Sequence, residues 1–419
     1  MFGIAHCKKI ISALPKNRLL ALDVFRGLTI TAMVLVNNPG SWAYVYPPML
    51  HATWNGWTPT DLIFPFFIFI MGISIAIVMN REIANGTRKT YLMKNALIRA
   101  LKLFALGLFL ALFYFNFTDA NYSWLESKLQ SIRVMGVLQR LGIVFFFTVL
   151  IVLYFGRVGR AVCIVCLLLG YWVLMMLVPY TDDYGNVYQG LLQQGNSLTA
   201  WLDNYLLGAN HVYYAKAVPF AFDPEGILST LPAIAGALAG VFTGELLINN
   251  KAGSQASVTE SSVNGASLKE QARHLTNKTK IMLAWGLCLI IVGELFGLVF
   301  PINKTLWSSS FVVMTTGWAL LTLAILTWLI DIKGWKNWSA PFVVFGANAI
   351  LFFMFSGVVS RVLLMIPVGK INLQGWLYIN VYQPLFGSFN GSLAYAVSFL
   401  LLCYLVMYLL YQRKLFFKV

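Results

Sequence analysis

The sequence predicts an all-α polytopic membrane protein, with about ten transmembrane helices and both termini cytoplasmic. Three observations carry that prediction. Hydrophobic residues are 59% of the 419 and charged residues only 11%, where a soluble domain holds about 25% charged. Apolar runs close to the roughly 20 residues that cross a bilayer recur along the whole chain. Lysine and arginine fall on alternate sides when those runs are threaded through a membrane in turn. A membrane β-barrel would instead show short segments of alternating polarity.

Residues 1–18 read as a cytoplasmic N-terminal segment. They carry Lys8, Lys9, Lys16 and Arg18, and no small-residue cleavage site follows a defined apolar core, so the first span is expected to stay as an anchor. The spans fall near 19–37, 61–79, 96–116, 134–155, 161–178, 226–248, 281–300, 307–330, 342–361 and 392–411. Residues 19–249 then form a first membrane bundle of about six spans, with extracytoplasmic loops at 38–60 and 180–225. Residues 250–279 are polar and Ser-rich and read as a flexible cytoplasmic linker. Residues 280–419 form a second bundle of about four spans with a short cytoplasmic tail.

The orientation comes from the basic residues. One set of segments holds Arg81, Arg88, Lys89, Lys94, Arg157, Arg160, Lys251, Lys269, Arg273, Lys333, Lys336, Arg413 and Lys414 besides the N-terminal four. The alternate set holds little more than Lys128, Arg133, Lys216, Lys304 and Lys370. The first set is expected inside. The net charge of +15 is thereby explained by topology and by contact with anionic membrane lipid. It does not imply nucleic-acid binding, which would need a basic soluble domain.

Chemistry-bearing residues are few. The four histidines are His6, His51, His211 and His274, and only His51 and His211 fall outside the cytosol in this orientation. His51 opens HATWNGWTPTD, with Trp54, Asn55, Gly56, Trp57 and Pro59 before Asp61. Asp61 suits the start of a helix, with Thr60 as its cap. It equally suits an acid that orients an imidazole base. Asn37 and Asn38 end the first span, either as caps or as donors to a developing oxyanion. Asp23 and Arg26 lie one turn apart near the opposite end of that span. Gln139 and Arg140 open the fourth span, Asp223 and Glu225 lie in FDPEG before the sixth, Lys304 and Trp307 lie in INKTLWSSS, and Asn348 interrupts the ninth. The 180–225 loop mixes aromatic residues with Asp203 and other acids. That mixture suits an amino sugar, or an interfacial aromatic belt with solvated acids. The five cysteines include Cys163 and Cys166, which read as small core residues rather than ligands. No metal-ligand spacing is present and no metal is expected.

Taken together, LALDVFRGLTITAMVLVNNPG, HATWNGWTPTDLIFPFFIFIMG, GVLQRLGIVFF, FDPEGILSTLPAI, INKTLWSSSFVV and FGANAI resemble the heparan-α-glucosaminide N-acetyltransferase family and its bacterial transmembrane glucosamine N-acetyltransferases. The resemblance runs from about residue 18 to the C-terminus. It implies transfer of acetyl from cytosolic acetyl-CoA, as co-substrate, to the amino group of glucosamine or a short amino-sugar saccharide across the membrane. The family's catalytic histidine falls on His51, its aspartate on Asp61 and its asparagine on Asn37, with Asn38 as the alternative. Arg26, Asn38, Trp54, Asn55, Gln139, Arg140, Asp203, Asp223, Glu225, Lys304, Trp307 and Asn348 are the candidates for holding acetyl-CoA or the acceptor. Nothing here corresponds to the luminal N-terminal region of the lysosomal member, so a bacterial inner (cytoplasmic) membrane is expected, and the family implies a homodimer. Direct transfer and a path through an acetyl-histidine both fit. An O-acetyltransferase of surface polysaccharide and an amino-sugar permease are the rival functions.

Overall fold

The computed structural model describes residues 4–12, 19–117, 119, 121–248 and 265–417. A short helix α1 (Ile4–Ser12) precedes α2 (Leu20–Asn37). A 3₁₀ turn at Pro59–Leu62 leads into α3 (Ile63–Ala84), followed by α4 (Lys89–Leu112), α5 (Val137–Tyr154) and α6 (Arg157–Leu177). Two hairpins follow, β1 (Tyr180–Thr181) with β2 (Val187–Tyr188) and β3 (Leu192–Gln193) with β4 (Asn196–Ser197), both antiparallel. Then come α7 (Leu198–Leu207), α8 (Thr230–Ile248), α9 (Gly265–Gly297), α10 (Ser309–Leu326), α11 (Ala340–Ala347), α12 (Ala349–Met365) and the hairpin β5 (Pro367–Val368) with β6 (Ile371–Asn372). The chain closes with α13 (Leu373–Leu377), α14 (Gln383–Phe386) and α15 (Ser388–Gln412).

Among the described residues, nine helices are long and apolar enough to cross a membrane, and a bent pair raises the number to ten. The fold class and the span number expected from the sequence are therefore met. The boundaries move where charge hid a helix. The third span begins at Lys89 rather than near residue 96. Lys89 and Lys94 are exposed, while Leu92, Ala96, Ala100, Leu103, Gly107 and Leu110 form one buried stripe at helical spacing. The ninth span is bent by 76° between Ala347 and Ala349. Residues 265–279 of the expected linker are helical, continuous with the seventh span, and 250–264 lie outside the described residues.

Spans from both halves of the chain share one core. Phe25, Ile30 and Phe69 cluster with Leu320, Phe345 and Tyr404. Glycine allows close crossings. A Cβ on Gly72 of α3 would collide with the Ala237 carbonyl of α8, and one on Gly240 of α8 with the Phe69 carbonyl. The hairpins and α7 pack over one end of the bundle through Tyr171, Met175, Tyr180, Phe220, Phe222 and Phe300. In contrast α6 and α9 turn Val162, Val165, Leu169, Ile291 and Leu295 outward, as lipid-facing helices do.

The α3–α8 crossing yields a stability prediction. Gly72→Val inserts side-chain atoms where backbone already sits, and overpacking of this kind costs about 1–3 kcal/mol or more. Its thermal transition in detergent should fall below that of wild type. An unchanged transition would mean that these helices do not cross at Gly72.

Candidate active site

The site is built around a carboxylate that has no contact with solvent. Asp61 sits in the 3₁₀ turn that starts the second span and is fully buried. Its Oδ2 accepts the backbone N–H of Ala52 at 3.0 Å and of Thr58 at 2.9 Å, with the Thr58 hydroxyl at 3.1 Å. Its Oδ1 lies 2.7 Å from Nδ1 of His51. Thr58, not Thr60, is the residue preceding the turn; the Thr60 hydroxyl donates to the Pro48 carbonyl at 3.1 Å. Because a carboxylate only accepts, Nδ1 must carry the proton and the free lone pair must lie on Nε2. The His51 side chain is 50% exposed. The result is a fixed, half-exposed imidazole whose lone pair is on Nε2.

A second loop closes on the first. Gly56 N–H donates to the Ile302 carbonyl at 2.8 Å, and the Asn303 amide donates to Asn55 Oδ1 at 3.2 Å. Asn303 is fully buried and also accepts the Leu306 N–H at 2.8 Å. Trp307 adopts a left-handed backbone, φ 51°, an arrangement that costs about 1–3 kcal/mol and persists only when its surroundings fix it. They do so here: its N–H donates to the Lys304 carbonyl at 3.0 Å, and its ring lies 4.9 Å from the Arg140 guanidinium and 5.2 Å from Phe64. This turn carries Lys304 to 3.0 Å from both ring nitrogens of His51 and 3.7 Å from Asp61 Oδ1. Burial pushes the Lys304 amine below the usual lysine range, while Asp61 and Glu225 pull the other way. Trp54 anchors the His51 loop from the other side, donating to the Leu192 carbonyl at 2.8 Å.

Behind Lys304 lies a buried ionic cluster. Arg133 makes a bidentate pair with Asp223, at 2.7 and 2.6 Å, and also pairs with Glu225. Asp223 further accepts the N–H groups of Tyr213 at 3.0 Å and Glu225 at 2.9 Å. Asp203 accepts the N–H groups of Asp223 and Ile227, and burial pushes its carboxyl up to about 7. Both acids thus serve the fold of the 203–227 segment. All three acids face Arg140, but Glu225 differs in that its charge also reaches Lys304. Arg140 is fully buried, donates to the Gly226 carbonyl and to Ser229, and leaves Nε and Nη1 without a hydrogen bond. Gln139 is buried against Gly107 and Gly136. His211 is tied through Nδ1 to the Ile132 carbonyl at 2.8 Å, away from the cluster's carboxylates.

A cavity of about 630 Å³ runs beside this site. It is lined on α3 from Phe64 to Met79, fifteen helical rises and so about 22 Å of helix. Phe64 is one turn beyond Asp61. The lining is mainly apolar, with Arg26, Ser74, Arg99 and Asn348 as its polar groups. Arg26 donates to Ser74 Oγ at 3.1 Å and pairs with Asp23 at 3.6 Å; Arg99 lies 4.7 Å over the Phe145 ring. Asn348 holds the end of the described chain, donating to the Leu415 carbonyl at 2.9 Å and accepting from Phe417 N–H at 3.0 Å. Phe417 itself lines the cavity.

The two asparagines at the end of α2 are now distinct. Asn38 is buried and its amide donates to the Val34 carbonyl at 2.7 Å; Asn37 is exposed. Sequence reasoning did not single out Arg133, Asn303 or Thr58. Arg133 counted only toward topology, although an arginine expected on the extracytoplasmic side upstream of the acidic FDPEG was a usable signal. Asn303 neighbours Lys304 in the same motif.

The ion cluster separates a structural from a binding role. Asp223→Asn leaves Arg133 buried beside a weakened partner, and breaking such a pair costs about 3–5 kcal/mol. The variant should unfold at lower temperature in detergent, while any folded fraction keeps wild-type affinity for substrates. A selective loss of affinity at wild-type stability would instead make Asp223 a ligand.

The heparan-alpha-glucosaminide N-acetyltransferase catalytic family matches residues 18–275, more than half of the chain. The heparan-alpha-glucosaminide N-acetyltransferase of Homo sapiens is 28% identical over 449 aligned positions, which cover 98% of this chain and 61% of that protein. The Mus musculus protein of the same name is 27% identical over 446, covering 96% and 61%. The chain therefore spans about three-fifths of the length of the curated relatives that it matches. Its all-helical spans and its match over residues 18–275 place it in one family: the chain belongs to the heparan-alpha-glucosaminide N-acetyltransferase catalytic family.

Proposed function

We propose that this protein transfers an acetyl group from acetyl-CoA to the amino group of glucosamine or a short amino-sugar saccharide across a membrane. His51 is the general base, Asp61 its orienting acid, and the acceptor side is extracytoplasmic. The observation that carries this is the pairing of a half-exposed imidazole with a buried carboxylate, one helical turn from a cavity that follows most of a membrane span. The hydrocarbon core is about 30 Å thick, so a cavity of this reach suits a donor that enters from one face and reacts near the other. Arg26 and Arg99 are the residues suited to its phosphates, and the apolar walls suit its pantetheine arm.

The acceptor attacks the thioester as the free amine, its ammonium proton having passed to water, and must lose a second proton as the N–C bond forms. Imidazole has a reference pKa of about 6.5 and can take that proton near neutral pH. Asp61 stabilises the imidazolium that results, and holds the ring for the return of the proton to the leaving thiolate. Asn37, exposed at the end of α2, is an amide available to the thioester oxygen. Glu225, among the acids of the outer segment, is the one whose charge reaches the site. The membrane is proposed to be a bacterial inner membrane. A permease would need ionisable groups near the midplane; Glu245 instead pairs with Arg160, and Glu294 accepts the Trp57 N–H at 3.1 Å, each near a helix end.

The test is direct. Purified protein given labelled acetyl-CoA and glucosamine should release labelled N-acetylglucosamine. His51→Ala should lower that rate by about 10²–10⁴-fold while acetyl-CoA still binds. Near-wild-type turnover would remove His51 from the mechanism.

Sidedness is a separate expectation from the distribution of basic residues. In a background without native cysteine, Gln194→Cys should react with an impermeant thiol reagent in intact cells and Asn85→Cys should not. The reverse pattern would reverse the proposed direction of transfer.

A further inference from the structure

We propose that Lys304 is a catalytic residue of this site, whose ammonium takes up the negative charge that develops on the thioester oxygen during acyl transfer. The inference rests on the acetyltransferase function proposed above and adds a group to it.

Lys304 Nζ is 3.0 Å from Nε2 of His51, the nitrogen that carries the free lone pair. Any amine that gives its proton to Nε2 must come within about 3 Å of the same atom. An attacking amine and an ammonium that share this neighbour are within reach of one carbonyl group. The side chains of Lys304 and His51 are 19% and 50% exposed, so His51 opens to the face of the site and Lys304 lies mostly covered beside it.

The second step concerns what Lys304 is for. A lysine that served only as counter-ion to Asp61 would bond it closely. Asp61 is instead already satisfied by Ala52, Thr58 and His51, and Lys304 stays 3.7 Å away, beyond ordinary hydrogen-bond length. An ammonium has three donors and no acceptor. Nζ is equidistant from Nδ1 and Nε2 at 3.0 Å, and so lies over the ring rather than in line with the Nε2 lone pair, which leaves its donors for an oxygen. The surrounding charges are Asp61, Glu225 and Arg140. The two carboxylates sustain a cation where little water reaches, and there a fixed charge is worth most to a developing oxyanion. The left-handed backbone at Trp307 and the buried Asn303 hold the turn that presents it.

The step balances without a further reagent. The amine lone pair forms the N–C bond, the carbonyl π pair moves onto oxygen, and the amine proton goes to Nε2 of His51. Lys304 stabilises the oxyanion and transfers no proton. As the carbonyl re-forms, the C–S bond breaks, the thiolate leaves with the electron pair, and the imidazolium returns the proton to it.

The experiment is steady-state transfer from acetyl-CoA to glucosamine across a pH series. Lys304→Met should lower kcat by about 10²–10³-fold with little change in KM for either substrate. Lys304→Arg keeps the charge and should recover most of that loss. The pH profile supplies a signature that packing would not. Lys304 loses its charge as pH rises, and burial brings that loss below the ordinary lysine range. Wild-type kcat should therefore fall on the alkaline side, and Lys304→Arg, charged throughout, should not show that fall. A Lys304→Met enzyme with wild-type kcat overturns the assignment, as does an arginine variant that shares the wild-type alkaline fall. If Lys304→Met does not fold, the arginine profile decides alone. A wild type that acetylates no amine overturns the acetyltransferase function and this assignment with it.

Discussion

The structure of the site depends on one buried carboxylate. An unpaired charge at the position of Asp61 would cost several kcal/mol, so the chain around it is folded to supply donors. The backbone of Ala52 and Thr58, the Thr58 hydroxyl and the His51 imidazole all converge on it. Those bonds start the second span and shape the 51–58 loop. They also fix which imidazole nitrogen carries the proton. The helix-start role and the imidazole-orienting role of Asp61, separate alternatives at the level of sequence, are performed by the same set of hydrogen bonds. A neutral amide in its place could keep the shape and lose the charge.

The rest of the site is layered on that loop. Asn303 and Ile302 bind it from a turn some 250 residues later in the chain, and this turn delivers Lys304. Arg140 supports the turn through the Trp307 face and reaches Gly226 and Ser229 of the acidic segment. Arg133 then gathers Asp223 and Glu225. Charges of alternating sign therefore run from the packed outer segment to the imidazole. The carboxylates and Arg140 are buried, and each charge lies beside one of opposite sign, as groups at a membrane boundary must.

Span number and class were legible because twenty-residue apolar runs leave few alternatives. Span ends were less so: Lys89 and Lys94 lowered the hydropathy of a segment whose other face is buried. His51 and Asp61 stood out because ionisable residues are scarce in such a chain, and the structure joins them at 2.7 Å. The acids of the 180–225 segment were harder. Composition left a sugar surface and an interfacial belt with solvated acids both open; Asp203 and Asp223 are instead occupied by backbone N–H groups and by Arg133. Such pairing joins residues 90 positions apart, which no local pattern encodes. The same holds for Lys304 and His51, 253 positions apart.

The bend at Asn348 follows from the same accounting of polar groups. A helix broken inside a membrane exposes backbone donors and acceptors that lipid cannot satisfy, and such breaks are tolerated where they are buried in protein or line a cavity. Asn348 lies in the lining of the cavity, between Ala347 and Ala349. Its own side chain then binds the backbone of Leu415 and Phe417, so the residue that interrupts the span also fastens a non-helical segment beside it. Arg26 enters the same lining from α2 and Arg99 from α4. Polar groups that would be costly against hydrocarbon are thereby collected along one interior passage, and that passage reaches Phe64, one turn from the carboxylate on which the site is built.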